Sequence, residues 1–290
     1  MAAAAKAALP ATLLKLGRIS NLPTVWTNVL AGTVLAGGAA EDRRVALVAL
    51  AMSFLYVGGM YLNDYYDRGI DARERPTRPI PAGDISASVV AIIGFALLAA
   101  GIALLALTGI AAAAVGLALV LAIVGYDAFH KGNPVAPVVM GLCRALVYAG
   151  AAAAASGTVS AAVIVAGFAM LAFVAGITFA ARQERLDRVE NLWPLLALAV
   201  PIALTVPAYS HGVLAAYVHL ALTAAVVYAV YLLAKRPTPA AVPHAVVTLI
   251  AGISLVDAAF LASVGAVNAA LSAVAGFAAT VLLQRYVAGT

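Results

Sequence analysis

Long apolar runs separated by brief polar segments form the dominant pattern of this chain. The runs stay uniformly apolar over about 18–22 residues, which is the length an α-helix needs to cross the hydrocarbon core of a bilayer. Strands of a membrane barrel would instead alternate apolar and polar side chains over about ten residues. Because only helices and closed barrels satisfy their backbone hydrogen bonds in lipid, the pattern predicts a polytopic bundle of transmembrane helices.

The same pattern places the predicted spans along one integral membrane domain that covers residues 1–290. Either of the last two apolar stretches could lie in the membrane interface or be half-buried, so we expect nine or ten spans. The ten stretches are 20–38, 45–62, 86–107, 110–128, 135–155, 159–180, 193–210, 213–234, 243–264 and 266–284.

The composition excludes a water-soluble domain. Hydrophobic residues make up 65% of the 290 positions and charged residues only 10%, whereas soluble domains carry about 25% charged residues. The mean hydropathy is correspondingly high, at +1.05. A single cysteine, Cys143, excludes an internal disulfide and a cysteine metal cluster.

The charges predict an orientation in the membrane. If the N-terminus is inside, fourteen of the 17 lysines and arginines lie on the inner side, and only Arg43 and Arg44 lie on the other. This asymmetry follows the positive-inside rule, which explains the net charge of +5 without a nucleic acid partner. Loops 63–85 and 181–192 should then share the cytoplasmic side, and we expect a bacterial inner membrane protein.

Acidic residues cluster where span 45–62 reaches this side. If the helix continues beyond the membrane, Asp64, Asp67 and Asp71 fall at positions i, i+3 and i+7 and share one face, with Asn63 beside them. Three carboxylates on one face repel one another unless a divalent cation neutralises them. Mg²⁺ prefers oxygen ligands and commonly binds through carboxylates together with substrate phosphates. The spacing therefore predicts a Mg²⁺ and phosphate site.

Basic residues near this cluster complete the predicted site. Arg75, Arg78 and Lys131 are suited to phosphate oxygens. The prolines between 76 and 81 end the helix and stiffen the return into the next span. The alternative interpretation is an ordinary solvated loop that keeps two spans apart.

These residues carry a family resemblance. The segment NDYYDRGIDARERPTRPIPAG, which begins at Asn63, resembles the first Asp-rich motif of the UbiA superfamily of intramembrane prenyltransferases. The later segments YDAFHKGN and MGLCRAL are most similar to the UbiA-like EboC branch. The resemblance implies an all-α bundle around a central cavity open to lipid. It also implies a prenyl diphosphate whose head is bridged by Mg²⁺ to two acidic motifs and whose tail occupies an apolar tunnel.

The motif and the resemblance together assign roles to individual residues. The expected metal ligands are Asn63, Asp64, Asp67, Asp71, Glu184 and Asp187. The expected catalytic residues are Asp64, Asp67, Tyr126, Lys131 and Arg144. The expected substrate-binding residues are Asn28, Asn63, Arg75, Arg78, Lys131, Arg144 and Arg182.

The second acidic motif departs from the family pattern. Most relatives carry two aspartates here, three or four residues apart, whereas this chain reads RQERLDRVE from Arg182 to Glu190. In one interpretation, Glu184, with or without Asp187, replaces the usual aspartates in a second Mg²⁺ site. In the other, the segment is a surface helix with arginine–carboxylate pairs at i, i+3 and i, i+4.

Several polar residues fall inside the predicted spans. Arg144 lies about nine residues into its span, where a charge is costly unless it faces a polar cavity. It would then pair with phosphate or with a carboxylate such as Asp127, while snorkelling to the headgroups is the alternative. Asp257 and Asn28 would serve either the site or the packing of helices.

Aromatic residues near the predicted mouth are equally open to two interpretations. The resemblance places Tyr126 beside the diphosphate, although it could instead belong to an interfacial aromatic belt. Tyr61 and Tyr148 would stabilise an allylic carbocation by cation–π attraction if they face the cavity.

The sequence therefore favours a Mg²⁺-dependent prenyltransferase. It would transfer a prenyl group from a prenyl diphosphate to an aromatic or other small acceptor within the membrane. The alternative is a transporter or lipid-handling protein that keeps the fold without turnover, an interpretation that the altered second motif supports.

Overall fold

A computed structural model describes residues 9–182, 193–206 and 212–289, and every regular element in these ranges is a helix. Short 3₁₀ segments lie at Ile19–Asn21 and Trp193–Ala199. The α-helices are α1 (Leu9–Leu16), α2 (Leu22–Leu35), α3 (Arg43–Glu74), α4 (Ala87–Ala106), α5 (Ile110–Phe129), α6 (Ala136–Ser156), α7 (Ala161–Arg182), α8 (Val200–Thr205), α9 (Val213–Lys235), α10 (Ala241–Ser263) and α11 (Val267–Leu283). This architecture confirms the predicted all-α membrane bundle.

Helices of membrane-spanning length match most of the predicted spans. Among the described residues, α3, α4, α5, α6, α7, α9 and α10 are long and apolar enough to cross a bilayer. The predicted spans 20–38 and 266–284 correspond to the shorter helices α2 and α11, of 14 and 17 residues. The expected count of nine or ten spans is therefore approximate.

The predicted span 193–210 is not a continuous α-helix in its described part. It begins as a 3₁₀ segment and becomes the six-residue helix α8 at Val200. Pro194 and Pro201 lack the backbone N–H that α-helical hydrogen bonding uses, which explains why regular helix is not sustained here. The hydropathy pattern recognised an apolar stretch but not its local geometry.

Helix α3 is the element that positions the candidate site. The Asp42 side chain caps its N-terminus by accepting a hydrogen bond from the Arg44 backbone N–H at 2.8 Å. Its 32 residues extend over about 48 Å at 1.5 Å per residue, well beyond a hydrocarbon core of about 30 Å. The helix therefore continues out of the membrane, as predicted, and carries the acidic motif on its last three turns.

Small residues allow the helices to approach closely around this element. Gly58 of α3 faces Gly94 of α4, and a Cβ at Gly58 would lie 2.9 Å from the Gly94 carbonyl oxygen. Gly32 of α2 packs in the same way against the backbone of Tyr148 in α6. Such small-residue contacts are typical of helix packing in lipid, where apolar burial alone does not drive association.

Helix α10 occupies the interior of the bundle. It packs against α2, α7, α9 and α11, and 83% of its most apolar stretch is buried, compared with 22% for α5. A polar residue on α10 is consequently enclosed by protein rather than lipid, which is the situation of Asp257.

Candidate active site

One face of α3 carries the acidic motif into the protein interior. Asn63, Asp64, Asp67 and Asp71 are all at least nine-tenths buried, as their helical spacing predicts. They lie on an inward stripe that starts deeper in the helix with Tyr56. The stripe contradicts the solvated-loop interpretation, because a solvated loop would leave these carboxylates exposed.

Two arginines from outside α3 hold the Asp64 carboxylate. Arg78 Nη1 lies 2.8 Å from Asp64 Oδ1 and 3.3 Å from Asp71 Oδ2. Arg18 Nη2 lies 3.2 Å from the same Asp64 oxygen and 3.3 Å from Asn63 Oδ1. Burial lowers the pKa of Arg78, and the Asp64 carboxylate opposes this shift. The loop after α3 and the segment before α2 thus converge on one carboxylate.

Asp67 is held from the end of α5. Lys131 Nζ lies 3.0 Å from Asp67 Oδ2, and His130 Nε2 lies 3.5 Å from Asp67 Oδ1. The His130 ring stacks on the Tyr126 ring with their centroids 4.8 Å apart. Tyr126 therefore lines the site beside Asp67. This position excludes the interpretation of Tyr126 as a residue of an interfacial aromatic belt only.

Asp127 adds a further carboxylate to this group. Asn63 Nδ2 donates to Asp127 Oδ1 at 3.2 Å, whereas the buried Asp127 Oδ2 has no hydrogen-bond partner within the described residues. A buried acceptor without a donor is costly unless a ligand or water supplies one. The sequence suggested Asp127 only as a partner for Arg144, a contact that the structure does not contain.

Arg182 ties the end of α7 to the same region. Its two Nη atoms each donate at 3.0 Å, one to the backbone carbonyl of His130 and the other to that of Asn133. This contact fixes the turn that carries Lys131. The ends of α3, α5 and α7 therefore meet at a single mouth.

This mouth opens into a cavity of about 700 Å³ with two unlike walls. Asn21, Tyr56 and Arg144 line the side formed by α3, α6 and the segment before α2. The side formed by α7 and α10 is apolar and is lined by Val174, Ile177, Val246, Ile250 and Ile253. Arg75 and Arg78 lie at the mouth among the lining residues. The cavity thus joins a charged entrance to an apolar interior.

Arg144 faces this cavity but lies away from the acidic motif. Its Nη1 donates to Asn28 Oδ1 at 3.0 Å and its Nη2 to Thr24 Oγ1 at 3.1 Å. Its guanidinium carbon is 5.5 Å from the centroid of the Tyr56 ring. The suggested contact of Arg144 with Asp127 is wrong, because Asn28 and Thr24 of α2 accept its hydrogen bonds instead. The alternative, pairing with phosphate, stays a prediction.

Asp257 is paired inside the bundle. Asn28 Nδ2 donates to both of its carboxylate oxygens, at 3.0 and 2.8 Å, and the Tyr148 hydroxyl forms a short hydrogen bond to Oδ1. Tyr148 is completely buried in this contact. Tyr61 donates to the Leu13 carbonyl at 3.0 Å and packs near α1. Neither tyrosine lines the described cavity.

The structure adds site residues that the sequence did not indicate. Arg18, Asn21, Tyr56 and His130 all line the cavity. Tyr56 could have been identified from the sequence. Asn63, Asp67 and Asp71 follow it by 7, 11 and 15 residues, a spacing that puts all four on one face of α3. Arg18 reaches Asp64 from 46 residues away, a contact that no local spacing reveals.

The second acidic motif lies outside the described residues. Glu184 and Asp187, the two predicted ligands of that motif, fall between 183 and 192. Their roles therefore stay predictions.

The first motif is suited to Mg²⁺ by its donor chemistry. Carboxylate and amide oxygens are the ligands that Mg²⁺ accepts, and Asp127 Oδ2 is a further buried oxygen to which no described residue donates. Within the described ranges, however, no three His, Cys, Asp or Glu side chains are grouped to hold a metal ion by themselves. Asp64, Asp67 and Asp71 instead face cationic side chains. Metal binding would therefore require these carboxylates to exchange partners.

Curated relatives match parts of the chain. Digeranylgeranylglyceryl phosphate synthase from Methanothrix thermoacetophila is 36% identical over 126 residues, which cover 43% of this chain and 47% of that protein. The synthase of the same name from Halobacterium salinarum is 33% identical over 188 residues, covering 62% and 63%. Chlorophyll synthase from Oryza sativa subsp. japonica is 42% identical over 90 residues, covering 29% and 24%. The chain thus spans less than two thirds of each of these relatives.

Solved structures share the fold over most of the chain. An apo UbiA homologue from Aeropyrum pernix K1 superposes with a TM-score of 0.66 at 20% identity, covering 84% of this chain and 96% of that one. A structure concerned with digeranylgeranylglyceryl phosphate synthase in membranes gives a TM-score of 0.63 at 20% identity, covering 89% and 98%. The closer similarity to the EboC branch stays a prediction. The model of the UbiA prenyltransferase family matches residues 24–242, and the chain therefore belongs to that family.

Proposed function

We propose that this protein is a Mg²⁺-dependent prenyltransferase that transfers the prenyl group of a prenyl diphosphate to an aromatic or other small acceptor within the membrane. The observation that carries the proposal is the buried stripe of Asn63, Asp64, Asp67 and Asp71 at the charged mouth of a cavity with one apolar wall. Such a combination suits an amphipathic substrate with an anionic head and a hydrocarbon tail.

The charged mouth would bind the diphosphate head. Arg75, Arg78 and Lys131 carry donors suited to phosphate oxygens, and two of them already lie against the acidic motif. Asn63, Asp64, Asp67 and Asp71 would hold Mg²⁺, which when bound supplies positive charge beside the diphosphate leaving group. When the diphosphate arrives, Arg78 and Lys131 would turn from carboxylate to phosphate oxygens.

The cavity interior would protect the reacting prenyl group. Its apolar wall accepts the tail and excludes water, which limits hydrolysis of an allylic carbocation. Tyr56 and Tyr126 lie on the cavity lining, where their rings can stabilise positive charge by cation–π attraction. A nucleophilic carbon of the acceptor would attack the prenyl carbon, and loss of a proton would end the reaction.

The proposed orientation places this mouth on the cytoplasmic side of a bacterial inner membrane. Its support is the distribution of lysine and arginine along the sequence, since the predicted topology assigns fourteen of the 17 to the inner side. A soluble prenyl diphosphate head would then reach the site from the cytoplasm.

Purified full-length protein in nanodiscs, radiolabelled prenyl diphosphates of several lengths and a membrane extract as acceptor source would test the activity. We expect a labelled lipid-soluble product that requires Mg²⁺ and is lost in Asp67→Asn. Specific, Mg²⁺-dependent binding of the diphosphates without any product would instead support the alternative, a lipid-handling protein or transporter. That alternative is favoured by the departure of RQERLDRVE from the second family motif.

A further inference from the structure

The imidazole ring of His130 is held in one orientation by the end of α5. Its Nδ1 lies 3.1 Å from the backbone carbonyl oxygen of Tyr126 and 3.3 Å from that of Asp127. Because a carbonyl oxygen only accepts hydrogen bonds, Nδ1 carries a proton and donates it. The side chain is nine-tenths buried and lines the cavity. Nε2 is therefore the ring nitrogen that is directed at the acidic motif.

His130 Nε2 and Asp67 Oδ1 are close neighbours at a distance that is long for a hydrogen bond. They are 3.5 Å apart, whereas a charge-assisted bond between nitrogen and a carboxylate oxygen is about 2.7–2.9 Å long. The other Asp67 oxygen is occupied by Lys131 Nζ at 3.0 Å. In an imidazole whose proton is on Nδ1, Nε2 carries a lone pair. Two electron-rich atoms then face each other, an arrangement that a cation between them stabilises.

The separation of these two atoms suits two ligands of one divalent cation. Imidazole nitrogen and carboxylate oxygen each bind such an ion at about 2.0–2.2 Å, so two ligands of the same ion are about 3.0–3.5 Å apart, depending on the angle between them. A histidine that binds a metal typically donates its other ring N–H to a carbonyl or carboxylate, as His130 does through Nδ1. Oxygens of a bound diphosphate would complete the coordination, since carboxylates and substrate phosphates commonly share a cation.

We infer that His130 Nε2 and Asp67 Oδ1 together ligate a divalent cation at the diphosphate site, and that the nitrogen ligand makes this position select a first-row transition ion such as Mn²⁺ over Mg²⁺. This inference rests on the proposed function, which it deepens by naming the class of cation. Mg²⁺ prefers oxygen ligands, whereas imidazole suits transition ions. Mg²⁺ would occupy the same position with lower affinity.

Electron paramagnetic resonance of Mn²⁺ tests the nitrogen ligand directly. The sample is the full-length protein in detergent micelles with Mn²⁺ and a non-hydrolysable thio-analogue of a prenyl diphosphate. Loss of the free-ion signal measures bound Mn²⁺, and pulsed spectra detect coupling of the bound ion to a ligating nitrogen. We expect this coupling in the wild type. Bound Mn²⁺ without nitrogen coupling would overturn the inference, and this measurement needs no variant.

Two variants assign the nitrogen to one residue. His130→Phe retains an aromatic ring to stack on Tyr126 but has no nitrogen, so the coupling should disappear. The ratio of Mn²⁺ to Mg²⁺ affinity should fall at least about tenfold in this variant, a factor that corresponds to about 1.4 kcal/mol. His244→Phe replaces an exposed histidine outside the cavity lining and should change neither quantity. Coupling or an affinity ratio that survives in His130→Phe would overturn the inference.

Binding of the thio-analogue separates this result from the fate of the proposed function. If the analogue binds in a Mg²⁺-dependent way while bound Mn²⁺ shows only oxygen ligands, the inference fails and the proposed function stands. If neither ion promotes binding of the analogue and no Mn²⁺ is bound, both fail. Nitrogen coupling from Mn²⁺ bound without the analogue, in a protein that does not bind the analogue, would support the cation site and count against the proposed function alone.

Discussion

Arg78 donates to Asp64 at 2.8 Å although the two residues are 14 positions apart and lie on either side of the end of α3. The proline-containing turn after Glu74 brings the arginine back along the helix, where its Nη1 also reaches Asp71. The basic half of the motif thus folds onto the acidic half. The two halves neutralise each other through these ion pairs. Under the proposed function, a diphosphate and a divalent cation would have to separate them.

Removal of the carboxylates should abolish Mg²⁺-dependent binding of a prenyl diphosphate. Asp64→Ala and Asp67→Ala each remove an oxygen donor and leave a cation without its partner, so we expect affinity for the thio-analogue to fall by more than about tenfold, or 1.4 kcal/mol. Calorimetric titration with and without Mg²⁺ measures this effect. Asp84→Ala, which removes a carboxylate outside the cavity lining, is the control and should bind normally. Unchanged affinity in both site variants would end the metal-site hypothesis.

The two acidic loops should react from the same side of the membrane. In a Cys143→Ala background, cysteines at Ala72 and Val189 should label alike with an impermeant thiol reagent, because lysine and arginine concentrate on their side. A cysteine at the exposed Ala39, before α3, should show the opposite accessibility. In inverted vesicles, the accessibility of all three cysteines to the reagent should be reversed. Labelling of Ala72 and Val189 positions from opposite sides would exclude a single two-motif site.

The close contact of α2 with α6 should be sensitive to one methyl group. A Cβ at Gly32 would lie 2.6 Å from the Tyr148 carbonyl oxygen and 2.9 Å from its Cα, so Gly32→Ala should cost about 1–3 kcal/mol by forcing these backbones apart. Thermal unfolding in detergent measures the loss. Gly69→Ala is the matched control, because nothing lies within 4 Å of its Cβ position on α3. Equal unfolding midpoints for Gly32→Ala and Gly69→Ala would contradict the close contact of α2 with α6.

The sequence predicted the local part of the site and missed the part assembled across the chain. Asp64, Asp67 and Asp71 share a face because helical periodicity is a local property, and α3 continues far enough to express it. Arg18 and His130 join them only through the packing of separate helices. Contacts between such distant segments cannot be read from a single sequence. Neither residue belongs to a recognisable local motif: Arg18 follows the short helix α1, and His130 follows α5.

The errors inside the membrane have a similar origin. Asp127 was one suggested partner of Arg144, beside phosphate, because a charge deep in a span needs an opposite charge or a polar cavity. The direction in which each side chain points depends on the rotation of α6 against α2, which hydropathy does not determine. The structure pairs Arg144 with Asn28 and Thr24 of α2 instead. Likewise, apolar character alone did not distinguish 3₁₀ from α-helix after Trp193.

The altered second motif should respond in a graded way to loss of charge. Arg182 contacts the backbone at His130 and Asn133, so α7 ends at the mouth. Glu184 follows by two residues, and the geometry of the chain keeps its Cα within about 7 Å of that of Arg182. If the helix continues, Asp187 lies one turn further out and Glu190 two turns. Glu184→Gln should therefore weaken Mg²⁺ and thio-analogue binding most, Asp187→Asn less, and Glu190→Gln hardly at all.

The alternative for this segment is a surface helix stabilised by arginine–carboxylate pairs. Exposed pairs contribute only about 0–1 kcal/mol each, so all three substitutions would then have small and similar effects. Calorimetric titration of the three variants with the thio-analogue distinguishes the two patterns, and Glu190→Gln serves as the internal control. A steep gradient requires Glu184 to face the diphosphate from the side opposite Asp67, which would supply the second set of ligands that the family pattern expects. Three equal and minor effects would instead favour binding or transport over prenyl transfer, because the substrate would then meet acidic ligands on one side of the mouth only.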